Sequence, residues 1–181
     1  MPKFFQSIAF TLLPYVFVTA IATPRVEGAT LAEVNHVPIT DTALNDAMDA
    51  YLQKIGHRKL SISRMDTLKK EILKRLIEEE LLYQEALKTG LAVTDEEIEA
   101  GLLEIRSRFP NNEAFETALS KEVLTLDKIR KGVERSLLVN KTWRSFADMT
   151  ETKRSARLRE ITKNADIQIN ANALGEPFVN N

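Results

Sequence analysis

The stretch RLIEEELLYQEALKTGLAVTDEEIEAG, from Arg75 to Gly101, is dense in carboxylates, three of them consecutive at Glu78, Glu79 and Glu80. Carboxylates gathered at close range can bind a hard cation or work as an acid–base pair. Both chemistries need convergent partners, and the sequence supplies few. His36 and His57 are the two histidines, and neither stands in an H-x-x-x-H or H-E-x-x-H spacing. No D-x-D-x-D-G calcium loop is present. Cysteine is absent, which removes disulfides, thiolate zinc sites and thiol nucleophiles. There is no G-x-S-x-G elbow, phosphate loop or dinucleotide fingerprint. The sequence therefore points away from an enzyme, and no metal or cofactor is expected. His36 and His57 read as surface residues of a turn and a loop.

The elements that carry these carboxylates explain most of them. Gly and Pro number six each, which favours helices over a turn-rich sheet. Val34, Val37 and Ile39 flank Asn35-His36 as a short strand, a turn and a second extended piece, with Pro38 at an edge. Thr40 caps a helix from Asp41 to about Ile55, with Leu44, Met48, Tyr51, Leu52 and Ile55 on one face and Gly56 as its stop. Ser63 opens the next helix, which runs to Thr89 with Gly90 as its stop.

On that second helix Leu68, Ile72, Leu73, Leu76, Ile77, Tyr83, Ala86 and Leu87 fall in one half of the wheel. Lys70, Glu71, Lys74, Glu78, Glu85 and Lys88 fall in the other. Glu79 and Glu80 lie in the apolar half, so each is expected at a rim or beside a partner. An Arg, a Lys or a helix N-terminus is expected next to Glu80. Thr94-Asp95-Glu96-Glu97 is a capping box for a third helix, whose stripe is Ile98, Leu102, Ile105 and Phe109 before Pro110. A short helix carries Phe115, Ala118 and Leu119. Thr125 caps a longer one from about Leu126 to Phe146, with a stripe of Ile129, Val133, Leu137 and Asn140 and an adjacent line of Val139, Trp143 and Phe146. A last helix spans about Glu151 to Lys163, followed by an extended Ile167-Gln168-Ile169.

Charge is unevenly spread. Residues 71–122 hold 13 acidic and 6 basic side chains, whereas residues 141–163 hold 7 basic and 3 acidic. The expectation is that the basic last helix packs near the acidic middle. A net charge of −1 gives no global pull toward nucleic acid.

The N-terminal segment has one Lys followed by an apolar run from Ile8 to Ala22 that ends in Ala20-Ile21-Ala22. It reads as a cleaved signal peptide over residues 1–22, with an alternative end at 28. The run contains Pro14 and is shorter than the ~20 residues that span a bilayer. Export out of the cytoplasm follows, with no stable membrane insertion. Residues 171–181 read as a flexible polar tail.

Three segments, AEVNHVPIT, LKKEILKRLIEEELLYQEALKTGLAVTDEEIEAGLLEI and FETALSKEVLTLDKIRKGVERSLLVNK, resemble the N-terminal chaperone domain of the SurA/PrsA/PpiD group of extracytoplasmic foldases. The likeness covers roughly Ala32 to Arg144 and rests on the order and spacing of its motifs. It implies a mostly α, multi-helix SurA N-terminal-like domain over residues 30–170. It also implies that a returning helix and strand complete the module, with Ile167-Gln168-Ile169 paired to the strand around Leu31–Val34.

In that group a parvulin prolyl isomerase domain follows the helical domain. Here only about Ala147 to Thr150 separates the helices, too little for such a domain. The resemblance therefore implies a periplasmic, ATP-independent chaperone that binds unfolded secreted or outer-membrane protein segments without isomerase activity. Candidate peptide-binding residues are Tyr51, Met65, Phe109, Phe115 and Trp143. The alternative is a dedicated envelope assembly subunit that binds one folded partner or dimerises with itself.

Overall fold

A computed structural model describes residues 28–56, 59–122, 124–147 and 149–170. The expected signal peptide, His57 and the expected tail lie outside the described residues. In chain order the elements are β1 (Thr30–Val34), β2 (Val37–Thr40), α1 (Asp41–Lys54), α2 (Ile62–Lys88), α3 (Asp95–Arg106), α4 (Asn112–Lys121), α5 (Leu126–Ser145), α6 (Glu151–Lys163) and β3 (Ile167–Ile169). The fold is mostly α with one small antiparallel sheet, as the sequence implies. The chain divides into two compact units. A sheet unit takes the described residues up to Glu85 and again from Phe146, and a helical unit takes Ala86–Ser145.

In the sheet unit the strand order is β2-β1-β3, so the strand nearest the C-terminus lies against the first. Asn35 and His36 have φ of 49° and 67° and join β1 to β2 as a two-residue turn. Two consecutive positive φ values give the primed turn whose twist suits a hairpin, and Asn tolerates that region better than most residues. Leu31 is an extra residue between the pairs Thr30↔Thr40 and Ala32↔Ile39. This bulge lets the consecutive Leu31 and Ala32 both be buried, where strict alternation would expose one. On the other side β1 pairs Ala32↔Ile169, Glu33↔Gln168 and Val34↔Ile167, which is the predicted return of the C-terminal strand. The core gathers Leu31, Val34, Leu44, Met48, Leu68, Ile72 and Leu73, with Ile161, Ile167 and Ile169 packed against it. A fully buried leucine there contributes about 1.5–3 kcal/mol.

The helix ends follow local chemistry. Thr40 accepts from the Ala43 amide, as predicted. At α2 the cap is Ser61, whose hydroxyl accepts from the Arg64 amide at 3.3 Å, two residues before the predicted Ser63. α2 closes with Gly90 at φ 71°, the Gly90 amide on Leu87 O and the Leu91 amide on Ala86 O. That pair of bonds requires a left-handed residue between them, which glycine adopts without strain.

The wheel for α2 needs correction at its C-terminal end. Leu81, Leu82, Glu85 and Ala86 are buried there, while Leu87 is exposed. The buried face turns away from the Ile72–Leu73 side along the helix, so one averaged wheel misplaces both Glu85 and Leu87.

In the helical unit α3 and α5 pack around Ile98, Leu102, Phe115, Ile129 and Val133. On α5 Leu138 and Thr142 are buried, whereas the predicted stripe members Leu137 and Asn140 are only half-buried. Thr142 is accommodated because its hydroxyl donates to Leu138 O at 3.0 Å.

Candidate functional site

The carboxylates are occupied one at a time. On α2, Glu78 lies 4.0 Å from Lys74, and Glu79 accepts from Arg75 Nε at 2.8 Å, at the rim as expected. Glu85 is paired with Arg157 of α6 within the sheet unit. Here the basic last helix meets the acidic middle, as the charge distribution suggests. In the helical unit Arg130 bridges Asp95 and Glu99. Glu97 closes the capping box by accepting from the Thr94 amide at 2.9 Å. Lys141 Nζ lies 2.7 Å from Glu97 and 2.8 Å from Ala92 O, tying α5 to the start of α3. The Lys141 ammonium first, then the Thr94 amide, hold the Glu97 carboxyl below its ordinary pKa. Among the described residues, no three His, Cys, Asp or Glu side chains converge as metal ligands.

Glu80 is 5% exposed, and its partners include a neutral amide. Gln84 Nε2 donates to Glu80 Oε1 at 2.7 Å and to Val34 O at 3.1 Å. Gln84 Oε1 accepts from Asn35 Nδ2 at 2.6 Å. Asn35 also receives the Asp166 amide on its Oδ1 at 2.8 Å and gives its own amide to Asp166 O at 2.7 Å. Glu80, Gln84, Asn35 and Asp166 thus join α2, the β1–β2 turn and the entry to β3 through one polar chain. A buried carboxylate requires this kind of satisfaction.

The five candidate peptide-binding residues fall in both units. In the sheet unit Tyr51 on α1 and Met65 on α2 are half-buried against the core. In the helical unit Phe115 is 4% exposed and is a core residue. Its ring meets Phe109 edge-on at 5.3 Å, and the Arg106 guanidinium sits 5.5 Å from its centroid. Phe109 and Trp143 are half-buried.

The most exposed large apolar side chains are other residues. Val37 and Ile62 are exposed in the sheet unit, and Leu87, Leu103 and Leu126 in the helical unit. Leu103 lies one turn beyond Glu99 on α3, and Leu126 one turn before Arg130 on α5, so the Arg130–Glu99 pair links the two helix faces that carry these leucines. The signal in the sequence is the doublet Leu102-Leu103, of which one helix stripe can bury only the first. Among the described residues, no helix is long and apolar enough to cross a membrane.

Residues 3–143 match the family model for the SurA-like N-terminal domain. Chaperone SurA of Chromobacterium violaceum is 24% identical over 141 residues, covering 75% of this chain and 33% of that protein. Chaperone SurA of Pseudomonas putida is 26% identical over 112 residues, covering 61% of this chain and 26% of that protein. The protein of the same name from Methylobacillus flagellatus is 27% identical over 111 residues, covering 60% and 25%. The chain thus spans about a quarter to a third of the length of the curated relatives it matches. With β3 returned to β1 and, among the described residues, six helices in the expected order, the chain belongs to the SurA-like N-terminal domain family.

Proposed function

We propose that this chain is an ATP-independent chaperone of the periplasm that holds unfolded segments of secreted or outer-membrane proteins and does not isomerise prolyl bonds. The family match over residues 3–143, to relatives that are chaperones by name, carries this reading. The exposed Leu87, Leu103 and Leu126, with the half-buried Phe109 and Trp143, supply apolar surface for loose, sequence-tolerant contacts. Tyr51, Met65 and Ile62 supply it in the sheet unit. Ser145 ends α5 and Glu151 begins α6, so the interval where the resemblance places an isomerase domain is a short connection. The apolar N-terminal run supports export.

The test is a titration of the purified protein with a panel of unfolded outer-membrane-protein segments, read by Trp143 emission and by the anisotropy of labelled segments. Broad micromolar binding, together with suppressed client aggregation, is the expected result. Indifference to every segment overturns the reading. Acceleration of prolyl isomerisation above the spontaneous rate overturns the non-enzymatic part alone.

A further inference from the structure

The two edges of the sheet are not equivalent. In β2 the pair Val34↔Val37 flanks the two-residue turn and is hydrogen-bonded, so Val37 and Ile39 turn their backbone groups toward β1 and Pro38 turns outward. Pro38 has no amide hydrogen, so this edge offers no donor at its centre. In β3 the alternation runs the other way. Asn35 N bonds Asp166 O at 2.7 Å and Asn170 N bonds Leu31 O at 2.8 Å, so Asp166, Gln168 and Asn170 face β1. The N–H and C=O of Ile167 and Ile169 therefore point away from β1. Among the described residues, no bond beyond the β1–β3 ladder reaches them. Their side chains lie on the core, and Gln168 is exposed between them.

We infer that the outer edge of β3 binds an extended polypeptide by antiparallel strand addition, with Ile167 and Ile169 each giving one donor and one acceptor to the residue opposite. This rests on the chaperone reading above and names one way a client is held. The edge specifies its occupant. A residue opposite Ile167 or Ile169 places its side chain on the core-facing side, and the residue opposite Gln168 places its side chain in solvent. The occupant is a segment with apolar residues at alternate positions and polar ones between. Its affinity comes from main-chain bonds, which tolerate sequence variation, and its register comes from the alternation.

The experiment uses the purified protein and a labelled peptide of alternating Val and Thr. N-methylation of the Val amides removes the donors that face Ile167 and Ile169, and binding is expected to weaken about tenfold or more. N-methylation of the Thr amides modifies the outward side, and binding is expected to stay within about twofold. Ile169→Pro deletes one outward donor and is expected to mimic Val methylation, while Ile169→Ala, which keeps the amide, loses less. The peptide arms need no protein variant, so a poorly folding Ile169→Pro does not remove the test.

Equal binding of both methylated peptides overturns the edge site and leaves the chaperone reading intact. Failure of every unfolded segment to bind, alternating or not, overturns the chaperone reading and the edge site with it. A dimer in light scattering that Ile169→Pro dissociates, without peptide binding, gives the edge to a second copy and overturns the assigned occupant.

Discussion

Arg157 reaches the carboxylate of Glu85 across 72 positions of sequence, and this pair fastens α6 to α2 within the sheet unit. The Glu85 side chain is 9% exposed and that of Arg157 34%, so one charge is buried and the other is partly wet. Arg157 also holds Glu160 at 2.8 Å on its own helix.

Arg157→Ala is expected to destabilise the protein by about 2 kcal/mol, since it leaves Glu85 buried without this cation. Glu85→Gln together with Arg157→Ala is expected to recover part of that loss. A double-mutant cycle in urea measures the coupling. Strict additivity of the two single changes would show that the pair contributes nothing.

Asn35 serves as a left-handed turn residue and as a bridge to Gln84 and Asp166. Asn35→Gly keeps the backbone freedom and loses the bridge, whereas Asn35→Ala loses both. The expected costs are about 1 kcal/mol for glycine and about 2 kcal/mol for alanine. Denaturant midpoints in the order wild type, glycine, alanine check this. The reverse order for the two variants would remove the turn from the explanation.

Thr94→Ala opens the capping box and is expected to cost about 1 kcal/mol. The Glu97 carboxyl has a lowered pKa in the folded state, because Lys141 and then the Thr94 amide favour its charged form. Its contribution is therefore present above the unfolded pKa of roughly 4.3 and is lost as pH falls through the lower folded value. Lys141→Met is expected to flatten that acid limb, read as the slope of stability against pH in the acid range. An unchanged slope would place the acid sensitivity in other carboxylates.

Leu103→Ser and Leu126→Ser alter exposed positions, so each is expected to leave stability within about 0.5 kcal/mol. Under the proposed function the double variant binds unfolded segments several-fold more weakly. Anisotropy titration beside a melting curve separates the two effects. Unchanged binding would move the client surface away from these leucines.

Elements governed by near neighbours along the chain are legible in the sequence. Thr40 capping α1, the Thr94–Glu97 box and the stops at Gly56 and Gly90 are local chemistry, and the fold keeps them all. The pairing of β3 with β1 is legible only through the family resemblance, because three residues carry too little pattern to find a distant partner. Glu85 escapes the wheel for a related reason. A helical wheel assumes one buried face, but the buried face of α2 turns, and Arg157 lies far along the chain. The candidate binding residues rest on size and spacing, and large residues at helical spacing end in cores, as Phe115 does. Leu103 and Leu126 stand out only once the stripes beside them are known to be filled.

The sheet also sets an order of assembly. Asp166 and Asn35 bond to each other from positions 131 residues apart, at the point where β3 meets the hairpin turn. A chain that emerges N-terminus first makes β1 and β2 early, and a lone hairpin is marginal in water. The strand that secures it arrives only after α1 through α6 have appeared. Closing so long a loop costs more entropy than a local contact, and contacts of this kind slow folding. Packing on α1 and α2 can support the hairpin before then, but the sheet unit completes its fold only when β3 is delivered.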